Sequence, residues 1–336
     1  ATRTERMDGI PGRCAGVLIC PVCGDPLVGD GRTLRCPRGH SFDRAREGYY
    51  HLLPAGHGRS KIRGDTREMV RARRRFLERG HYEPLLRAIQ ERVSREIQGR
   101  ASRGIEGRVS AGTDAHVSHE IPQPAPPEIR APASHGRVLT ILEAGCGEGY
   151  YIGGLVEAIG APCCFIGVDV SKDAVRLAAR AHRDVCFLVN DVKHRITVAD
   201  RSVDVLLDVF APRNPGEFAR VVREGGLLLV AIPQDAHLRE LRERLPLIGI
   251  EPGKRDRTVE QLAAAFRPEW EETVEYRRAL EPEEVLDLVG MSPSAWHVGE
   301  ELRAAVEALG RVTVTVSVLV MGFRRVAPRG GSGSRE

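Results

Sequence analysis

Two groups of residues in this chain have the types and spacings that chemistry requires. The first is Glu143-Ala144-Gly145-Cys146-Gly147-Glu148-Gly149, an acidic residue followed by G-x-G-x-G at the end of an apolar run. Glycines at that spacing let a backbone turn tightly and approach a ligand with no Cβ in the way. Asp169 closes a second apolar run, Phe165 to Val168, at the distance where a carboxylate accepts both hydroxyl protons of a ribose. Loop and carboxylate together suit a nucleoside cofactor. A dinucleotide-binding site is the competing reading, because its G-x-G-x-x-G loop differs by one residue. Further along, Asn190 and Asp191 are placed to hydrogen-bond an adenine amino group. Asp208, Phe210, Pro212, Arg213 and Asn214 then follow an apolar run, where a strand end delivers side chains to the crevice. An aromatic ring beside a proline-stiffened loop can stack a flipped base and offer polar groups to its edge; an ordinary proline-rich connection is the plain alternative.

The second group is Cys20, Cys23, Cys36 and His40, in the knuckles Cys-Pro-Val-Cys-Gly and Cys-Pro-Arg-Gly-His. Three thiolates and an imidazole at C-x2-C and C-x3-H spacing fit a tetrahedral zinc site with no open position, so the zinc is expected to be structural. A module of this size buries too little apolar surface to fold alone, so the metal supplies most of its folding free energy. Cys14 falls outside the pattern and reads as a bystander, and Cys146, Cys163, Cys164 and Cys186 read as reduced core residues. His51 and His57 read as surface residues.

The elements that position these groups follow from periodicity. Strand, helix and strand alternate from Arg137 onward: strands over Val138–Leu142, Phe165–Val168, Val185–Val189, Val203–Leu207 and Leu227–Ile232, with helices after Gly149 and over Lys172–Ala181. This predicts an α/β fold with a doubly wound sheet. Later helices are expected over 282–289 and 301–309, and the alternating run Arg311–Val320 reads as a late antiparallel edge strand. Upstream, Asp65 or Thr66 caps a helix running to Gly80, in a stretch with nine Lys and Arg against three acids between Arg59 and Arg79. Arg67, Arg71, Arg74 and Arg75 share one face of it, which suits phosphates; a solvated arginine face is the alternative. A second helix runs from Pro84 to about Gln98, with Leu85, Ile89, Val93 and Ile97 as its buried stripe. The chain is thus read as a zinc module (1–58), a basic helical connector (59–98), a flexible insertion rich in Gly, Ser, Pro, Ala and His (99–136), a nucleoside-cofactor domain (137–326) and a flexible tail (327–336).

With 336 residues and 42% hydrophobic content the chain can fill a real core, and its net charge of +4 is too small by itself to argue for nucleic acid. No run of apolar residues is long enough for a membrane span and the amino terminus has no signal-peptide pattern, so the cytoplasm is the expected location.

The spacing G-x-G-x-G, with Glu143 ahead of it, resembles the first motif of S-adenosylmethionine-dependent methyltransferases. More widely, the chain resembles the RlmA family of bacterial 23S rRNA guanine-N1 methyltransferases and its tylosin-resistance branch. The similarity is carried by CPVCG, CPRGHSFDRAREGYYHLLP, RARRRFLERGHYEPL, LEAGCGEGYY, GVDVSKDAV and VFAPRNPGEFARVVREGG. The resemblance implies a class I methyltransferase domain behind a small zinc domain that grips an rRNA hairpin loop. It implies zinc on Cys20, Cys23, Cys36 and His40. It also implies cofactor contacts by Tyr82, Tyr151, Ile152 and His237, besides Gly145, Gly147, Gly149, Asp169 and Asp191. The substrate it implies is N1 of a guanine in 23S rRNA, with VFAPRNP closer to the branch acting on guanine 748 than to that acting on guanine 745; macrolide sensitivity is the trait this modification touches. Arg71, Arg74, Arg75, Phe210, Pro212, Arg213 and Asn214 are the expected RNA-facing residues, and Asp208 is the one candidate for taking the N1 proton. The family has a short connection where this chain carries the segment from about Gly99 to Gly136. A small-molecule methyltransferase using the zinc module as a lid remains the alternative function, a non-catalytic RNA-binding protein a further one, and homodimerisation is open.

Overall fold

The structure, a computed structural model, describes residues 14, 16–29, 31–53, 64–109, 138–160, 162–247, 249–292 and 299–327. Its centre is an eight-stranded sheet in the order β10-β11-β9-β8-β5-β6-β7-β4. The parallel part comprises β4 (Tyr50–His51), β5 (Thr140–Ala144), β6 (Cys164–Asp169), β7 (Val185–Val189), β8 (Val203–Val209) and β9 (Val222–Pro233). Every residue of β5, β7 and β8 is buried, which is why these strands read as mostly apolar rather than alternating, with Glu143, Asp204 and Asp208 as buried acids among them. Helices α3 (Tyr150–Ile159), α4 (Lys172–Ala181) and α5 (Pro215–Val221) link them. Ser171 caps α4 and Asn214 caps α5, each accepting a hydrogen bond from a first-turn amide. From β5 the chain turns to β6 on one side and β8 lies on the other, so the strand order reverses between β5 and β8. Open α/β sheets bind ligands outside the carboxyl ends of the strands at such a point.

The far edge differs from expectation. β11 (Val312–Arg325) is antiparallel as expected but lies inside the sheet, paired to β9 on one side and on the other to β10 (Phe266–Leu280), a strand the sequence did not announce. β10 is rich in Glu and Arg because it is the true edge, with one face open to water, so its inward set (Trp270, Val274, Tyr276) is interrupted by charges. Those charges have work to do: Glu272 accepts from Arg92, Arg278 donates to the carbonyl of Gly80, and the Tyr276 hydroxyl donates to the carbonyl of His81. β10 thereby fixes the turn between α1 (Arg67–Glu78) and α2 (Glu83–Val109). Thr66 is the cap of α1, as one of the two expected residues. α2 buries Leu85, Ile89 and Val93 as expected but runs well past Gln98. Arg100 explains the continuation, since it pairs with buried Asp204 on β8 at 3.1 Å. The expected flexible insertion therefore begins as helix, and its remainder (110–136), like His57 and residues 328–336 of the tail, lies outside the described residues. Short helices α6 (Arg239–Arg242) and α7 (Lys254–Leu262), then α8 (Pro282–Gly290) and α9 (Glu300–Leu309), complete the chain.

The amino-terminal residues form a three-stranded antiparallel sheet, β1 (Val28–Gly29), β2 (Thr33–Arg35) and β3 (Ser41–Asp43). A boundary at residue 58 does not separate this module from the rest. Tyr50 and His51 extend the large sheet beside β7, and Leu18, Leu27 and Leu34 share one apolar cluster with Ile196, Val198 and Leu188. Backbone bonds from Ile19 to Thr197 and from Ala199 to Val17 join the two parts. Cys14 is not a bystander, nor is Cys164 reduced: the two form a disulfide that ties the amino-terminal segment to β6. Cysteine spacing could not reveal a pair 150 residues apart. Among the described residues no helix is long and apolar enough to cross a membrane.

Candidate methyl-transfer and zinc sites

At the carboxyl end of β5 the glycine loop turns as its sequence requires. Gly145 and Gly147 have φ of 75° and 54°, in the left-handed region that suits glycine. A Cβ on Gly145 would stand 2.5 Å from Cβ of Ala211, so glycine is needed for the loop after β8 to close against this one. Asp169, at the end of β6, accepts from the amides of Gly147 (2.9 Å) and Ser171 (2.7 Å). Burial raises its pKa while those two amides oppose the shift. Glu143 is fully buried and accepts from the amide of Ile152 at 3.0 Å, fastening the first turn of α3; its acidity belongs to the loop's construction. Ile152 lies in the core, and Tyr151 is buried against Tyr150 with ring centres 5.1 Å apart.

Tyr82 and His237, separated by 155 residues, meet here: the Tyr82 hydroxyl lies 3.3 Å from Nε2 of His237. Nδ1 of His237 accepts from the amide of Ser317 at 3.2 Å, and burial pushes the imidazole down to about 4. His237 is therefore neutral with its proton on Nε2, which it donates to the Tyr82 oxygen, leaving the phenolic hydrogen free for a ligand. Burial also raises the Tyr82 pKa, so it stays protonated. Phe210 joins them, with ring centres 6.0 Å from Tyr82 and 6.3 Å from His237. It holds a φ of 55°, uncommon for a bulky residue, and remains 42% exposed. Strained backbone of this kind clusters at functional sites.

Other expected site residues are otherwise engaged. Asp191 accepts from the amide of Lys193 and pairs with Nδ1 of His194 at 2.7 Å. Asn190 is spent between the amide of Thr197 and the carbonyl of Leu52. Asn214 caps α5 and donates to the carbonyls of Val192 and Lys193, so its amide builds the loop rather than reads a base. Arg213 folds back to Asp208 at 3.4 Å, while Pro212 is exposed. Asp208 is fully buried, with one oxygen lacking a partner among the described residues, and burial pushes it up to about 7. It lies on the face of β8 shared with Leu206, opposite to Leu207 and Val209, which pack in the same cluster as Tyr82.

The basic helix α1 is largely neutralised, by acids from other elements and by one of its own, Glu78. Arg75 makes a bidentate pair with Asp287 of α8, Arg67 reaches Asp173 of α4 at 3.6 Å, and Arg74 pairs with Glu78. Arg71 is exposed, with no ion pair among the described residues. Two groups that motif spacing does not single out stand at the glycine loop instead. Glu148 is 7% exposed, and both its carboxylate oxygens are buried without a partner among the described residues. Arg73 faces it across Gly147. The only signal in the sequence was that Glu148 is the one charged residue inside the loop. An orphaned carboxylate beside a glycine cradle is what a site for a cationic nucleoside leaves when its ligand is absent, so these residues fit S-adenosylmethionine.

The Sγ atoms of Cys20, Cys23 and Cys36 and a ring nitrogen of His40 lie within 4.8 Å of one another. Cys23 and Cys36 are 3.6 Å apart. Zinc–sulfur bonds of about 2.3 Å place tetrahedral sulfurs about 3.8 Å apart, so the donors fit zinc. The amide of Val22 points at Cys20 Sγ, the support a thiolate ligand needs.

Residues 18–61 match the family model described as RlmA, N-terminal, and residues 141–226 match a methyltransferase domain model. A Micromonospora griseorubida protein assigned to the 23S rRNA (guanine-N(1)-)-methyltransferases is 40% identical over 317 residues, spanning 92% of this chain and 97% of that protein. The 23S rRNA (guanine(748)-N(1))-methyltransferase of Streptomyces fradiae is 35% identical, spanning 90% and 94%. The chain belongs to the RlmA family of 23S rRNA (guanine-N1)-methyltransferases. As an RlmA-family enzyme it uses S-adenosylmethionine and a structural zinc, and its glycine loop and Cys3His cluster are the sites built for them.

Proposed function

We propose that this enzyme methylates N1 of a guanine in a 23S rRNA hairpin loop, and that the guanine is 748. The carrying observation is 35–40% identity to such enzymes along 90–92% of the chain, zinc module and methyltransferase part together. The guanine-748 choice rests on the Streptomyces fradiae relative. A change in macrolide sensitivity follows from that choice, because methylation alters the surface of the 23S loop.

The cofactor supplies an already activated methyl group, so the protein's task is to position a base and exclude water. A guanine in a hairpin loop reaches the site by leaving its stack, and the exposed face of Phe210 receives it. The free phenolic hydrogen of Tyr82 and the backbone of the glycine loop hold the cofactor, with Asp169 on its ribose and Tyr151 beside it. We assign Asp208 a positioning role: through Arg213 it holds the loop that carries Phe210, since it sits on the face away from Tyr82. Asp208→Asn is then expected to lower kcat on rRNA while leaving affinity for S-adenosylhomocysteine unchanged. Arg71 remains the α1 residue free to meet a phosphate; Arg74 and Arg75 serve the fold.

Primer extension on 23S rRNA from cells with and without the gene tests the reading, because N1-methylguanine cannot pair and arrests the polymerase. An arrest one nucleotide before guanine 748 is expected. Arrest at another guanine would refute the choice of site, and no enzyme-dependent arrest would refute the rRNA reading.

A further inference from the structure

We propose that Arg73 and Glu148 grip the amino-acid end of S-adenosylmethionine, Arg73 donating to its carboxylate and Glu148 accepting from its ammonium group. This rests on the cofactor assignment above and adds two residues to it, one of them from outside the methyltransferase domain. Arg73 is on α1, yet its Nη1 lies 3.3 Å from where a Cβ on Gly147 would stand, so the guanidinium sits directly over the glycine loop. Its other end is fixed: Nη2 pairs with Asp65 at 2.5 Å and donates to the carbonyl of Met291 at 3.1 Å. Asp65 is itself fastened over the end of β6, where its carbonyl accepts from the Ser171 hydroxyl at 2.8 Å. The guanidinium is thus preorganised, with Nη1 and Nε unspent by any hydrogen bond among the described residues.

Glu148 faces this group without forming an ion pair with it. A buried carboxylate with no partner is costly unless something compensates it, and native proteins keep such groups where a ligand supplies the partner. A fixed cation over Gly147 and an orphaned anion on the next residue match a zwitterion. Ribose is served by Asp169, whose oxygens both face the loop and Ser171 amides. The amino-acid end of the cofactor is what remains to be held, and it carries one charge of each sign.

Two ligands separate this assignment from a general effect on the pocket. S-adenosylhomocysteine carries the amino-acid end, whereas 5′-methylthioadenosine has the same adenosine and thioether without it. Calorimetric titration of the full-length zinc-bound protein is expected to show Glu148→Gln and Arg73→Lys weakening S-adenosylhomocysteine by about tenfold or more, the size of a lost charge-assisted hydrogen bond. Binding of 5′-methylthioadenosine should be roughly unchanged in both. Glu148→Gln is isosteric and removes a buried charge, so melting curves should show it folded; Arg73→Lys keeps the charge and loses the planar fork. Equal weakening of both ligands, or no weakening of either, overturns the proposal. Failure of the unmodified protein to bind S-adenosylhomocysteine would instead overturn the cofactor assignment, and this proposal with it.

Discussion

Glu148 shows how a single side chain can trade stability for a site. Burial pushes its carboxyl up to about 7 from an ordinary 4.5. Below pH 4.5 both folded and unfolded chains hold the proton, and the group costs nothing. As pH rises toward 7 the unfolded chain ionises first, so stability falls, and above 7 the penalty is complete. Glu148→Gln is therefore expected to melt a few degrees above the parent near pH 8, with the gap closing toward pH 5, a difference on the order of 3 kcal/mol at its largest. A gap independent of pH would mean that ionisation of Glu148 is not its source. At the neighbouring pair, Tyr82→Phe removes the hydroxyl that accepts from His237 and that the proposed function places against the cofactor. Affinity for S-adenosylhomocysteine should drop about tenfold, and the melting temperature should fall too, because the buried Nε2–H of His237 loses its acceptor at a cost of about 1–3 kcal/mol; titration and scanning calorimetry would show the two effects. Neither residue was legible from spacing: Tyr82 and His237 came from family resemblance, and their hydrogen bond joins segments that only β10 and β11 bring together.

Helix α1 is the element whose meaning the structure altered. Its charge is cationic when counted along the chain, yet it is a clamp, because Asp173 on α4 and Asp287 on α8 reach it from far in sequence. Carboxylates from other elements offset the like charges of Arg67 and Arg75 on either side of exposed Arg71. Arg75→Ala leaves Asp287, only 8% exposed, without its main partner. It should cost about 1 kcal/mol of stability and leave the salt dependence of RNA binding intact. Arg71→Ala should do the reverse, reducing the slope of log K against log salt by about 1 with no change in melting. Filter binding over a salt series with parallel melting curves separates the two. β10 was hidden for a related reason: an edge strand open to water carries Glu and Arg on both faces, and alternation is lost to the charges that fasten the α1–α2 turn.

Across the whole molecule, the zinc module and the methyltransferase domain share a core. Leu18, Leu27 and Leu34 pack with Ile196 and Val198, and β4 extends the parallel sheet. Zinc removal should therefore unfold the amino-terminal sheet and also lower the melting temperature of the remainder, since the apolar face beneath it becomes exposed. Scanning calorimetry with and without a chelator should show the main transition shifted downward; an unshifted main transition would mean that the module is a separate body. The Cys14–Cys164 disulfide is a second tie across the same boundary.

The sequence by itself determined the alternating α/β core, the glycine loop with Asp169, the start of α1 at Asp65 or Thr66, and the zinc knuckles. Each depends on residues within a few positions of one another: an unbroken apolar run, a left-handed glycine, two thiols two residues apart. Only the tertiary structure decided which charges are free and which are spent. It neutralised Arg67 and Arg75, committed Asn190 and Asn214 to building loops, and left Glu148 alone in the interior facing Arg73. Electrostatics and hydrogen bonding act over a few ångströms whatever the separation along the chain, so the partners of a charged side chain are known only once the fold has brought them together.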